Sequence, residues 1–291
     1  MTKFAIPILG ITLGLLLPGC NGNDSGDKGE LNIVDTTQTS DEASINFESP
    51  DEDYHLPSPL QIASIFKKSG LQYNSAATNP TEVAANYTDE LELLLNFGVY
   101  SADMAYCVMN NQPNEGRKYL KVITELAAKI GMEAVFENAD LIDRFNANIE
   151  NSDSLEILMV DIHERSEKYL DENDMEHQSS VHFSGAWIEG MYLGVYDFEN
   201  NNSNDGIGTK IAEQMAILHN IIKGLKDPRN DGMEIEWLIT DLSEIENTFN
   251  NFDSVKNYYE NDMPGEINLI ESEYNKLGSL IKALRTKITN G

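Results

Sequence analysis

Asp103 and Glu189 are the residues whose surroundings best suit chemistry. Each stands among small and aromatic side chains, Tyr100-Ser101-Ala102-Asp103 and Trp187-Ile188-Glu189-Gly190. A carboxyl group turned inward in such a stretch is deprived of water, which raises its pKa and suits it to work as acid, base or ligand anchor. If the two segments pack together, the carboxylates share a cleft, and Tyr100 and Trp187 join them as ligand-binding candidates. An acid-base enzyme would need both groups within about 10 Å of each other in a recessed, partly exposed pocket. The plainer reading is that each carboxylate bonds a neighbouring tyrosine or backbone group and fixes helix register.

Other constellations are thinner. A di-iron bundle needs a Glu-x-x-His step on each of two helices. Among the five histidines only His55 has that spacing, with Glu52, so a ferritin-like site is not expected. His163 and Glu167 lie one helical turn apart beside a charged face, where solvation competes with metal binding; His177, His182 and His219 have no convincing second ligand at helical spacing. A calcium loop is suggested by Asn201, Ser203, Asp205 and Gly206, yet position twelve falls on Ala212 and Glu213 arrives one residue late. Gly206-Ile207-Gly208-Thr209-Lys210 has no preceding strand and no lysine directly after a glycine, which removes a phosphate loop. No Ser-His-Asp or Cys-His arrangement is visible, Cys107 among Tyr106, Val108 and Met109 reads as core, and no cofactor is implied.

The elements that must position these residues are helices throughout, because apolar residues recur at helical spacing and strand-like alternation is nearly absent. Ser58 caps a first helix that Gly70 stops. A second is expected from Thr81 to the Asn110-Asn111-Pro113 break, a third up to Gly131, and a fourth over Val135 to Phe145. A fifth is capped by Ser152 or Asp153, and a sixth runs from Met175 to Phe198. That sixth helix carries Gly185, Gly190 and Gly194. Glycine costs about 1 kcal/mol relative to alanine in a helix interior, so close approach by a neighbour is the natural compensation. Asn200 to Gly208 reads as a polar loop before a helix ending near Pro228. Seven-residue apolar repeats over Ile235 to Tyr259 and Ile267 to Ile288, parted by Met263-Pro264-Gly265, predict two long helices. The expected fold is all-α, a multi-helix bundle over 58–226 ending in a long antiparallel helical hairpin over 228–291 that packs on it. Gly98, Tyr100 and Met104 match Gly185, Trp187 and Met191 at a constant offset of 87, which leaves duplication of a helical unit open.

The amino terminus speaks of location. Lys3 and the apolar run Phe4 to Leu17 have the form of a signal peptide, too short to cross a bilayer as a helix of about 20 residues. Leu17-Pro18-Gly19-Cys20 resembles the lipobox of bacterial lipoproteins, with Pro18 a departure from the usual alanine, serine or threonine. The resemblance implies cleavage after residue 19 and acylation of Cys20, with membrane attachment through the lipid. Asn21 in place of aspartate implies outer-membrane sorting. Only Cys20 and Cys107 exist, and a disulfide from a segment with no core to join would stabilise little. Residues 20–57 read as a tether, because ten acidic residues stand against Lys28 between Asn21 and Asp53. An acidic tract in that place also resembles surface-export signals of some Gram-negative lipoproteins. LPSPLQIASIFKKSG, NFGVYSADMAYC and SGAWIEGMYLG together resemble an uncharacterised family of all-helical Gram-negative lipoproteins over about residues 56 to 225, a resemblance that implies fold and address but no activity.

A formal net charge of −29 makes nucleic acid and anionic lipid poor partners. The expected function is that of a membrane-anchored envelope lipoprotein that binds an envelope protein or a small ligand. An acid-base enzyme built on Asp103 and Glu189, and a calcium-binding loop protein, are the alternatives.

Overall fold

The computed structural model describes residues 56–137, 140–201, 205–261, 263 and 265–290. These residues form eleven α-helices and three short 3-10 turns without a strand. The all-α expectation is met. The leader, Cys20 and His55 lie outside the described residues.

Helix α1 (Pro59–Lys68) begins at Ser58, whose side chain and that of Gln61 form a reciprocal capping box, and Gly70 follows it at a φ of 97°. Helix α2 (Glu90–Met109) starts later than its apolar pattern suggested. Thr81–Asn86 is instead a 3-10 turn, because Asp89 and Glu92 form a second capping box that fixes the α-helical start at Glu90. Asn111, at a φ of 56°, and Pro113 turn the chain into α3 (Pro113–Lys129), which Gly131 closes. The expected single helix over Val135 to Phe145 is two, α4 (Glu133–Glu137) and α5 (Leu141–Ala147), with Asp140 at a positive φ before α5. Helix α6 (Ser152–Glu172) is capped by Asn151, just ahead of the expected Ser152 or Asp153. Helix α7 (Ser179–Asn200) follows a 3-10 turn, and α8 (Asp205–Leu225) begins inside the segment expected to be a loop.

The carboxyl-terminal hairpin is present but shorter-armed. Phe252 adopts an extended backbone, so the first arm divides into α9 (Glu236–Asn250) and α10 (Asp253–Glu260). The second arm, α11 (Glu271–Asn290), omits Ile267 and Ile270. Glu273 explains where it starts: one carboxylate oxygen accepts from Ile270 N and the other from Ser254 N, at the head of α10. The arms run antiparallel, with Lys287 paired to Asp241 and Ser254 bonded to Glu273.

Helices α2 and α7 are buried around nearly their whole circumference, which places them at the centre of the fold. They run parallel and touch through glycine. A Cβ on Gly98 would stand 1.8 Å from the His182 carbonyl oxygen, and one on Gly185 would stand 1.9 Å from that of Leu95. Glu90 meets Gln178 farther back along the same pair. Residues matched at the offset of 87 thus sit nearly opposite one another along the contact. The other two glycines receive α1, since Ile62 covers Gly190 and Phe66 covers Gly194. On one side of this pair lies a core with α1, α8, α9 and α11; on the other lies a core with α3 to α6.

Candidate functional site

The close packing of α2 on α7 brings Asp103 and Glu189 together, and α11 adds Arg285. The guanidinium grips Glu189 with two hydrogen bonds, Nε to Oε2 at 2.9 Å and Nη2 to Oε1 at 3.1 Å, while its face lies 4.5 Å from the centre of the Tyr192 ring. Asp103 Oδ2 accepts from the backbone of Asn79 at 3.0 Å, and Oδ1 has no donor. Both carboxyls are 0% exposed. Two ionised carboxylates in contact would repel each other without water to screen them. Burial and then the charge of Glu189 push Asp103 well above the usual carboxylate range, which favours a protonated Asp103 beside Glu189. Burial also raises Glu189, against the pull of Arg285.

Tyr100 and Trp187 are not brought together. Tyr100 donates to the Pro80 carbonyl and stacks on Tyr119, whereas Trp187 points to α8 and donates to the Gln214 carbonyl. The two carboxyls are therefore sealed in a packed charge cluster; Asp103 bonds a backbone group, as the register-fixing reading expects, whereas Glu189 bonds an arginine side chain. A pH test separates the two protonation states. A carboxyl whose folded pKa is raised contributes its stability fully below the unfolded value of 3.8 and loses it as pH rises toward the folded pKa. Asp103→Asn, which keeps the acceptor and supplies a permanent donor, should gain on the native protein by up to about 1.4 kcal/mol per pH unit above that value. Urea unfolding from pH 4 to 8 checks this, and a gap that does not widen with pH would refute the shared proton.

The open site lies elsewhere. A cleft of about 970 Å³ runs between α2, α6 and α7, with the start of α1 at its edge. Phe97, Met104, Met159 and Ile162 form its apolar floor. At its polar end Glu167 of α6 reaches across to α7, with Oε1 3.4 Å from His182 Nε2 and Oε2 accepting from Ser179 Oγ at 3.1 Å. Burial opposes ionisation of Glu167, but His182, His163 and Ser179 outweigh it and hold the carboxyl down at about 2. Burial pushes His163 below the usual imidazole value, with His182 adding to the effect and Glu167 opposing it. Phe97 meets the His182 ring edge-on at 5.8 Å.

The spacing of His163 and Glu167 was visible on one helix, but their partner His182 is on another and sequence spacing alone could not supply it. Among the described residues no three His, Cys, Asp or Glu side chains are grouped to hold a metal ion. Asp205 opens α8 and Glu213 lies within it, paired with Lys210 at 2.7 Å, so the chain from Asp205 to Glu213 is helix and not the second half of a calcium loop. Asn201 caps the end of α7 and donates to Asp197, while Ser203 lies outside the described residues. His219 approaches Glu246 at 3.2 Å on an exposed face. Cys107 is buried, and loss of solvation raises its thiol pKa, consistent with a core role. Compared with protein-family models, curated proteins and solved structures, the chain matches none of them.

Proposed function

We propose that this chain is a lipid-anchored envelope protein that binds a small molecule in the cleft between α2, α6 and α7. The cleft is the observation that carries the reading. Its volume of about 970 Å³ is near the upper end of the roughly 300 to 1,000 Å³ usual for ligand sites, and it combines an apolar floor with a few converging polar groups. The location rests on the sequence, where Leu17 to Cys20 resembles a lipobox and the following acidic stretch serves as tether. Cys20 is the residue that would carry the acyl chains, each buried methylene adding about 0.8 kcal/mol to membrane attachment. Among the described residues no helix is long and apolar enough to cross a membrane. The full burial of Asp103 and Glu189 favours binding over acid-base catalysis.

The test has two arms. Full-length protein should bind the neutral fluorophore N-phenyl-1-naphthylamine saturably at one site, and Ser101→Trp, which fills the cleft from α2, should weaken that binding at least tenfold while leaving the melting temperature near that of the native chain. Binding that is absent, or indifferent to Ser101→Trp, would remove the ligand site. In the second arm, Cys20→Ser should move the protein from the detergent phase to the aqueous phase, and unchanged partitioning would remove the anchor.

A further inference from the structure

The polar end of the cleft carries a fixed negative charge, and from it we infer that the ligand is an amphipathic organic cation, an ammonium or aromatic iminium group on an apolar body. This rests on the reading of the cleft as a ligand site. Glu167 keeps 40% of its side-chain exposure, so its charge is open to the cleft rather than sealed in the core. Its neighbours leave that charge standing. Ser179 is neutral, burial pushes His163 below the usual imidazole value, and His182 Nε2 stands 3.4 Å from only one of the two carboxylate oxygens, so part of the carboxylate stays open to the cleft.

The basic residues at the rim are already engaged. Arg229 is bound by Glu176 at 2.5 Å and by Asp227 at 2.8 Å, and Lys168 reaches Glu172 at 3.6 Å. An anionic ligand would have to break these contacts and approach against the field of a chain of net charge −29. Lys223 and Asp171 add one charge of each sign to the lining. A neutral ligand would use the floor but add nothing to the Ser179 and His182 contacts of the half-exposed carboxylate. A cation with an apolar body satisfies both ends: its charge meets Glu167, and its body lies on Phe97, Met104 and Met159, where an aromatic face attracts positive charge and the flexible thioethers adapt to shape.

Three fluorophores of similar size separate the possibilities in the full-length protein at about 0.15 M salt, where long-range attraction is screened beyond about 8 Å. They are a cationic styrylpyridinium, neutral N-phenyl-1-naphthylamine and anionic anilinonaphthalene sulfonate. The cation should bind at least tenfold more tightly than the anion. Glu167→Gln should cut cation affinity at least tenfold and leave neutral-probe affinity within twofold; glutamine still accepts from Ser179, so the fold is retained. Ser179→Lys, which pairs the carboxylate internally, should produce the same selective loss, and Glu260→Gln on α10 should produce none. Equal affinity for cation and anion, or a cation preference that survives both cleft variants or falls equally with Glu260→Gln, overturns the inference. If the neutral probe binds and Ser101→Trp blocks it while charge has no effect, only the ligand class fails; if no probe binds, the cleft reading fails with it.

Discussion

Replacing Arg285 by methionine should lower stability by about 3–5 kcal/mol, the range seen when one partner of a buried ion pair is removed. The guanidinium is the cation that Glu189 holds by hydrogen bonds, and its loss leaves an ionised group and a raised-pKa neighbour together in a region with no exposure. The consequence extends beyond one contact. Arg285 lies in the last part of α11, whose terminal carbonyls are also claimed from α2 and the segment before it: Asn96 donates to Ile288 O at 3.0 Å and Tyr87 to Thr289 O at 2.8 Å. These bonds satisfy helix-end acceptors that would otherwise be orphaned in the core. Loss of Arg285 should therefore loosen the end of α11 first, seen as faster amide exchange there than in α2. Lys282→Met, which removes the half-exposed pair with Glu199, should cost less than about 1 kcal/mol and serves as the comparison. Adding Glu189→Leu to Arg285→Met should recover much of the loss, because the stranded charge goes with it. Urea midpoints of the three variants decide the matter, and a loss at Arg285 no greater than at Lys282 would show that the cluster does not hold the helix.

Gly185→Ala should destabilise by about 3 kcal/mol or more, reversing the sign that helix propensity alone gives. In an open helix the change from glycine to alanine gains about 1 kcal/mol. Here the new methyl would sit 1.9 Å from the Leu95 carbonyl oxygen, and backbone cannot step aside as a side chain can. Gly98→Ala meets the His182 carbonyl oxygen at 1.8 Å and should behave alike. The two central helices would have to separate, opening the cores on both sides of the pair. Gly190→Ala meets the Ile62 side chain at 2.7 Å, which can rotate, so its cost should be smaller. Gly232→Ala, with nothing within 4 Å, should change stability by no more than about 0.5 kcal/mol. Thermal unfolding of the four variants should rank them in that order. Gly185→Ala melting at or above the native temperature would contradict the close crossing of α2 and α7.

The helical class, several helix ends and the meaning of the glycines were legible in the residues themselves. Those features are local: Ser58 with Gln61 closes a cap within one turn, Gly131 and Pro113 punctuate their own neighbourhood, and a glycine-rich face inside an apolar helix needs a backbone against it. Where local signals competed, periodicity misplaced boundaries. The apolar pattern ran through Thr81–Asn86 and Phe252, but the capping box at Asp89 and the doubled role of Glu273 set the true helix starts. The pairing of Asp103 with Glu189 was legible because each lay on a helix of small residues, yet the cation that binds Glu189 comes from residue 285, 96 positions away. His182 beside Glu167 likewise joins two helices whose sequence spacing has no period to reveal it. Tertiary packing decided which carboxylates were sealed in the core and which faced a cleft, because burial is a property of what covers a side chain, and the covering helices are chosen by the whole fold rather than by the residues nearby in the chain.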